Sequence, residues 1–358
     1  MKQIQAIEDF SKLGEEMSRF IENPQSEIYT EWNEALRLAE YQNGWFTRES
    51  ILSVLKGIAP WLTKSNLEQW LSKYPQLQKE NAKPITVNVI MAGNIPLVGF
   101  HDFLSILITG NSINTKLASA DSVLLKFLIK KLISINSDWE KYINVVEKIP
   151  NTANAIIATG SNNTARHFEY YFRNMPHIIR KNRNSIAILD GTETVEEIGK
   201  LGEDIFSYFG LGCRNISKLF VPEGYDFVPF FQSIEKFKDV VNHNKYANNY
   251  NYNRTIFLMD GIVFTDNGFV MVTKKDSISS PIAVLHFEEY SDIAQLTELL
   301  VKEKENIQCI AAKESLRKRL GTLDTPIVEL GQTQLPELWD YADGVDIIKF
   351  LMEQSNKN

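Results

Sequence analysis

From Pro84 onward, short runs of β-branched and apolar residues (ITVNVIMA, NAIIATG, NSIAILD) recur with helical segments between them. No other feature restricts the fold as tightly. Runs of this length and composition read as buried strands, whereas LVGFHDFLSILITG and DSVLLKFLIKKLIS space their apolar residues as helices do. NSINTKLAS reads as one more short strand. Strands joined by such helices pair in parallel, since the crossover returns the chain to the same edge, so an α/β fold with a doubly wound sheet is expected. Ligands of these sheets bind beyond the carboxyl ends of the strands. Three ends carry unusual polar groups: Gly93-Asn94 after the first strand, Lys116 near the end of the second, and Thr159-Gly160-Ser161-Asn162-Asn163 after the third. The last turn opens a helix whose first amides suit a phosphate, and it equally suits a plain turn with a Thr or Asn cap.

Residues 1–84 precede this pattern and read as a helical N-terminal segment, with FSKLGEEMSRFI, SEIYTEWNEALRLAEYQ, TRESILSVLKGIAPWL and TKSNLEQWLSKY in helical spacing. Thr47 and Thr63 supply caps, and Trp45, Trp61 and Trp70 are packing residues. After residue 213 a second α/β region follows: strand KLFVP, helix DFVPFFQSIEKFKDVV, an Asn/Tyr-rich stretch at 242–253 expected as a surface loop, strands near GFVMVT and IAVLHF, helix SDIAQLTELLVKE, strands IQCIAA and TPIVEL, and a final helix over 345–352.

With 358 residues the chain has material for two full cores. The N-terminus lacks a signal-peptide core, no run approaches eighteen uninterrupted apolar residues, and two cysteines far apart argue against a disulfide framework. A cytoplasmic protein without a membrane span is the expectation. The formal charge of −7 disfavours a nucleic-acid surface. Arg166, Arg173, Arg180, Lys181 and Arg183 form a local basic cluster, read either as a polyanion site or as a solvated helix face.

Cys213 stands directly after Gly210-Leu211-Gly212, between an apolar helical segment at 195–208 and an apolar run at 216–221. A thiol on a flexible turn ahead of a helix start is favoured as thiolate and becomes a candidate nucleophile; the alternative is a buried cysteine acting as a small hydrophobe. Cys309, inside IQCIAA, reads as packing. The proton-handling group stays open among His101, His167, His177, His286, Glu203 and Asp204, and Phe209, Phe227, Phe230 and Phe231 are candidate tunnel lining or core.

Taken in order, Gly93-Asn94-Ile95-Pro96, the Lys116 strand, Thr159-Gly160-Ser161, Gly210-Leu211-Gly212-Cys213, the late Ser280-Pro281 before AVLHF, and ELWDYADGVDIIKFL near the C-terminus are similar to the aldehyde dehydrogenase superfamily. Within it, they resemble the acyl-CoA reductases of bacterial bioluminescence fatty-acid reductase systems. The resemblance implies an aldehyde-dehydrogenase-like fold: a helical N-terminal segment over 1–84 packing on the cofactor domain, a Rossmann-like nicotinamide dinucleotide-binding domain over 85–208, an α/β catalytic domain over 209–335, and a C-terminal segment over 336–358. It makes Cys213 the acylated nucleophile and Asn94 its oxyanion donor. Lys116 becomes the contact to the adenosine ribose or its 2′-phosphate, and Thr159, Gly160 and Ser161 the turn that carries the dinucleotide.

Hydrolytic relatives activate water with a glutamate in a Glu-Leu-Gly-Gly-Lys segment. The corresponding stretch here, Ile179-Arg180-Lys181-Asn182-Arg183, has no carboxylate, and the position of the second family glutamate, which holds the nicotinamide ribose, falls near Ser277, again without that glutamate. The resemblance therefore implies NADPH-dependent reduction of a medium or long acyl-CoA to an aldehyde through an acyl-cysteine, with NADH as the alternative cofactor and no metal. Its implied partners are acyl-CoA and either a second copy of the chain or a partner enzyme of a fatty-acid reductase system. An aldehyde dehydrogenase or acyltransferase on the same fold, or a non-catalytic partner-binding subunit, are the competing readings.

Overall fold

The computed structural model describes residues 2–78, 83–321 and 323–357; residues 79–82 of the expected N-terminal helical segment lie outside them. The chain forms two compact units, residues 1–181 with 337–358, and residues 182–336.

The first unit opens with α1 (Gln3–Glu22), α2 (Thr30–Gln42), α3 (Arg48–Trp61) and α4 (Lys64–Ser72), close to the helices expected from apolar spacing. Thr47 and Thr63 cap α3 and α4 by accepting from the amides of Ser50 and Asn66. The α/β part follows as β1 (Thr86–Ile90), α5 (Phe100–Ile108), β2 (Ser112–Lys116), α6 (Val123–Ile135), β3 (Ile143–Val145), β4 (Ala155–Thr159), α7 (Asn162–Phe172) and β5 (His177–Arg180). All five strands are parallel, in the order β3-β2-β1-β4-β5, so the strand order reverses between β1 and β4. The edge strands β3 and β5 were not expected from the sequence: at three and four residues they are too short to show a pattern.

Asn88, Asn114 and Asn144 are register partners on β1, β2 and β3. Their amides form a ladder, with Asn144 Nδ2 donating to Asn114 Oδ1 (3.1 Å), Asn114 Nδ2 to Asn88 Oδ1 (3.0 Å), and Asn88 Nδ2 to the Pro150 carbonyl (2.8 Å). A slip of one residue would leave these polar groups without partners, so the ladder specifies the pairing. The tryptophans behave as expected. Trp70 is fully buried, and Trp45 and Trp61 pack half-buried against the same core.

Residues 337–358 return to this unit. Trp70 Nε1 donates to Tyr341 Oη (2.7 Å), Tyr74 Oη donates to Asp346 Oδ2 (2.8 Å), and Ile347, Ile348 and Leu351 of the last helix, Ile347–Ser355, enter the core.

The second unit runs β6 (Asn184–Ile188), α8 (Val195–Phe206), β7 (Ile216–Pro222), α9 (Phe227–Ser233), α10 (Asn244–Met259), β8 (Thr265–Asp266), β9 (Met271–Lys274), β10 (Val284–Tyr290), α11 (Ile293–Lys302), β11 (Ile307–Ala312), α12 (Glu314–Leu320) and β12 (Ile327–Val328). Its seven strands are ordered β12-β11-β6-β7-β10-β9-β8, parallel except for the β8–β9 pair. Phe227, Phe230 and Phe231 belong to its core.

Two expectations change. The boundary placed at 208/209 falls at 181/182, because NSIAILD forms β6, pairs with β7 and β11, and brings α8 with it. The stretch 242–253, expected as a loop, belongs mostly to α10. Its buried residues Tyr246, Tyr250, Asn253 and Phe257 recur at helical spacing, and the polar ends that disguise this are satisfied: Tyr246 Oη donates to the Phe269 carbonyl (3.0 Å), Tyr250 Oη to Asp266 (2.7 Å) and Asn253 Nδ2 to the Ile282 carbonyl (2.9 Å). The tyrosines bury their rings and keep a hydrogen-bonded tip, which hydropathy counts as polar.

Candidate active site

In the first unit, Asn94, Lys116 and the 159–161 turn all lie at the carboxyl edge of the sheet, at or just beyond the ends of the adjacent strands β1, β2 and β4. This is where the strand order reverses. Asn94 and Lys116 are exposed. The loop carrying Asn94 is fixed from beneath. A Cβ on Gly93 would come within 2.6 Å of Ala118 Cβ, so only glycine lets the loop settle on the segment after β2. Leu97, at φ +53°, donates its amide to Asp121 Oδ2 (2.7 Å). Burial pushes the Asp121 carboxyl up to about 7, against the lowering effect of that amide, and its Oδ1 has no partner. Asp121 is thus an anchor for the Asn94 loop that the sequence reading missed.

Ser161 caps α7, accepting from the Thr164 amide at 3.2 Å. Gly160 lies under the first turn of that helix, where a Cβ would meet Thr164 Cβ at 3.0 Å, and its amide donates to the Arg180 carbonyl (3.2 Å). Helix packing alone therefore already favours a glycine there. The α7 N-terminus beside the reversal of strand order, with Lys116 exposed at the same edge, has the chemistry a dinucleotide needs: amides for the pyrophosphate and a cation for a phosphate.

Arg180, in the stretch where hydrolytic relatives carry their glutamate, makes a buried two-pronged pair with Asp102 of α5, at 2.5 and 2.9 Å. Lys181 pairs with Glu169, and Arg183 reaches Glu305 and the Lys304 carbonyl. These pairings remove Arg180 from any surface polyanion site and partly neutralise the rest of the cluster.

In the second unit, Cys213 is half-buried on a turn ahead of β7. A strand, not a helix, follows it, so the expected thiolate-favouring helix start is absent. The segment between α8 and the cysteine is unusual instead: Tyr208 (φ +51°), Phe209 (φ +58°) and Gly210 (φ +78°) are consecutive left-handed residues. For the two non-glycines this costs roughly 1–2 kcal/mol each, which the surroundings must offset. Asn215 bonds both flanks of this run, and Ser185 holds the cysteine beyond it. Asn215 Oδ1 accepts from the Gly212 amide (2.8 Å), while its Nδ2 donates to the carbonyls of Ser207 (2.8 Å) and Asp204 (3.0 Å), which the end of α8 leaves over. Ser185 Oγ donates to the Cys213 carbonyl (3.1 Å) and also lies 3.1 Å from Cys309 Sγ. Cys309 is fully buried in β11 and burial pushes its thiol up to about 11, as expected of a packing residue.

Phe209 and Gly210 line a small open cleft together with Ile205, Tyr246 and the late motif Ser280-Pro281. The turn before the cysteine and Ser280-Pro281, distant in sequence, thus share one cavity. The 276–278 loop leading there is held at three successive carbonyls, by Lys218 Nζ (2.6 Å), His286 Nδ1 (2.9 Å) and Ser217 Oγ (2.7 Å).

The candidates for proton transfer disperse. His101 sits among Trp61, Trp70 and Tyr341 with Nε2 at the Leu338 carbonyl (2.8 Å), His167 and His177 are exposed in the first unit, and His286 is buried in β10, where burial lowers its pKa. Glu203 is exposed and pairs with Lys236. Asp204 is buried, raised to about 6 by that burial, and accepts from the Gly331 amide and from Thr333. One histidine that the sequence reading passed over touches the run before the cysteine: the His243 ring lies 4.3 Å from that of Phe209. Among the described residues, no group of three or more His, Cys, Asp and Glu could hold a metal, and no helix is long and apolar enough to cross a membrane.

Two α/β units with these topologies define the aldehyde dehydrogenase fold. The architecture is shared with indole-3-acetaldehyde dehydrogenase AldA of P. syringae, solved with NAD+ (TM-score 0.67, 12% identity, 92% of this chain and 77% of that one), with the aldehyde dehydrogenase KauB of Pseudomonas aeruginosa (0.65, 12%, 92% and 77%), and with HpcC of Thermus thermophilus (0.64, 14%, 92% and 74%). At these identities the likeness is one of fold. The model of the acyl-CoA reductase (LuxC) family matches residues 4–229, and the chain belongs to that family. It is also similar to the long-chain acyl-protein thioester reductase of Aliivibrio fischeri, at 25% identity over 164 residues, a match spanning 41% of this chain and 34% of the relative.

Proposed function

We propose that this protein is an NADPH-dependent acyl thioester reductase that releases an aldehyde through an acyl group carried on Cys213. The observation that carries the reading is the family match over residues 4–229, which runs through Asn94, Lys116, the 159–161 turn and Cys213 in order. The fixed turn around Cys213 supports it, since a side chain meant only to fill space does not need a left-handed run on one side and two clamps beneath it.

In this mechanism the Cys213 thiolate attacks the thioester carbonyl, forming the carbon–sulfur bond. The Asn94 side-chain amide and the Cys213 backbone N–H hold the oxyanion, and the donor thiol departs as the carbonyl re-forms. Splitting the transfer into two steps is the gain from a covalent nucleophile. Lys116 and the 159–161 turn hold the dinucleotide, Lys116 at the ribose or its 2′-phosphate. When bound, the reduced nicotinamide would supply a hydride to the acyl carbon; the carbon–sulfur bond to Cys213 then breaks, the aldehyde leaves and the Cys213 thiolate is restored. Without a glutamate near Ile179, nothing at that position activates water against the acyl-enzyme, so the intermediate persists for reduction.

The acyl donor is acyl-CoA in this reading, and the name of the Aliivibrio relative favours an acyl group on a protein thiol as the second donor, delivered by a partner enzyme in the cytoplasm. Mass spectrometry of the protein incubated with a long-chain acyl-CoA, then with NADPH, tests the proposal. An acyl adduct on Cys213 that disappears as aldehyde forms is the expected result. No adduct on any cysteine rules out the covalent route, and an adduct that neither NADPH nor NADH removes favours an acyltransferase.

A further inference from the structure

Residues 212–215 form a tight turn with Cys213 at its corner, and a single side chain closes it. The Asn215 amide donates to the Gly212 carbonyl (3.0 Å), and Asn215 Oδ1 accepts from the Gly212 amide (2.8 Å), so both polar groups of Gly212 are bound by the same residue. The other end of that side chain grips the carbonyls of Asp204 and Ser207. The grip therefore spans the whole left-handed run at 208–210. Asn215 is itself only 1% exposed and is fixed to the sheet, because the Ser185 amide donates to its carbonyl (3.2 Å) and β7 begins at the next residue. Ser185 adds the bond to the Cys213 carbonyl.

The rigid end of a central strand is thus connected to the cysteine through one carboxamide. Only an amide has the required pattern, one acceptor for Gly212 and two donor hydrogens for the helix carbonyls. Aspartate keeps the acceptor and loses the donors; leucine keeps the shape and loses both.

We propose that Asn215 is the positioning residue for the nucleophile: it sets the direction of the Cys213 corner relative to the second unit. This rests on the reading of Cys213 as the acylated thiol. Because a displacement of about 1 Å from the reactive geometry costs on the order of 10²-fold, the effect belongs in the rate of acyl transfer and not in substrate affinity.

The test compares Asn215→Ala, Asn215→Asp and Ser185→Ala with Asn33→Ala, a control that removes a comparable clamp in the first unit, where Asn33 Nδ2 holds the carbonyls of Pro24 and Tyr29. Two readouts are taken: CoA release in the first turnover with acyl-CoA, and the pH profile of Cys213 alkylation by iodoacetamide, localised by mass spectrometry. Asn215→Ala should lower the acylation rate about 100-fold, with KM within about threefold of wild type. Asn215→Asp and Ser185→Ala should fall between, the alkylation profile should change in the Asn215 variants, and Asn33→Ala should leave both readouts unchanged. If Asn215→Ala does not fold, Asn215→Asp and Ser185→Ala carry the decision.

Wild-type rates and profiles in the folded Asn215 and Ser185 variants overturn the proposal, as does an equal loss in Asn33→Ala. Failure of the underlying reading looks different. In that case Cys213→Ala still releases CoA at the normal rate, whatever the Asn215 variants do.

Discussion

In the first unit, Asn94, Lys116 and the 159–161 turn stand at the ends of three neighbouring parallel strands, displayed by the sheet itself. In the second, Cys213 precedes its strand on a turn that the sheet does not produce, with three left-handed residues on one side and side-chain clamps beneath. The contrast separates two ways of placing a functional group. A topological edge presents side chains at little conformational cost and leaves them exposed to meet a ligand. A strained turn fixes one atom and needs dedicated partners to hold it. The first arrangement suits a cofactor with many contacts, the second a nucleophile that must face one carbonyl carbon.

Substitutions can break this comparison. The largest effect is expected for Cys213→Ala, which should abolish the acyl adduct and lower turnover by on the order of 10⁴–10⁶-fold, as loss of a covalent nucleophile does elsewhere. Retained turnover, measured as aldehyde formation, would move the chemistry away from the second unit. Asn94→Ala should cost about 10²–10³-fold in kcat at little change in KM, the loss of one oxyanion donor. Lys116→Met should act on cofactor binding instead, raising the KM for NADPH roughly 10–100-fold, the worth of a charge-assisted hydrogen bond. The same change should affect NADH far less, and equal effects on both cofactors would remove the 2′-phosphate role.

The smallest effect concerns stability. Burial raises the folded-state pKa of Asp121 from the usual 3.8 to about 7. Its protonated form is therefore the favoured one in the fold, and the contribution is fully present below about 3.8 and lost as pH rises through about 7. Asp121→Asn keeps an acceptor for the Leu97 amide and cannot ionise. Its melting temperature relative to wild type should rise between pH 5 and pH 8, and a constant difference across that range would contradict the assignment. The residues packed there, Gly93 to Leu97 in sequence order and Gln42 and Asn43 at the end of α2, carry no ionisable side chain.

The contrast also explains what could be read from the chain alone. Apolar runs and helical spacing revealed β1, β2, β4 and the helices between them, and with those strands came the edge that holds Asn94, Lys116 and Gly160. Residue order revealed the family, and it is what singles out Cys213 as the proposed nucleophile. What stayed hidden depends on contacts that local pattern does not encode. The left-handed run at Tyr208 and Phe209 is bracketed by bonds from Asn215 to Ser207 and Gly212, and Asn215 is a residue without hydropathic signature. The helix α10 was concealed because hydropathy scores Tyr246, Tyr250 and Asn253 as polar, although each satisfies its polar atoms and buries the rest. The position of β6 in the second sheet was concealed because its sequence resembles that of β4.

The return of residues 337–358 to the first unit makes the order of synthesis matter. The second unit is continuous in sequence and has every one of its strands once residue 336 has been made. The first unit has its sheet much earlier, but Leu338, Ile347, Ile348 and Leu351 of its core, and the Tyr341 hydroxyl that Trp70 meets, arrive last. The half bearing the cysteine thus has all its chain before the half built on β1 to β5 does, and until residues 337–358 join it the latter keeps part of its apolar core uncovered, the condition in which a chain is most exposed to aggregation.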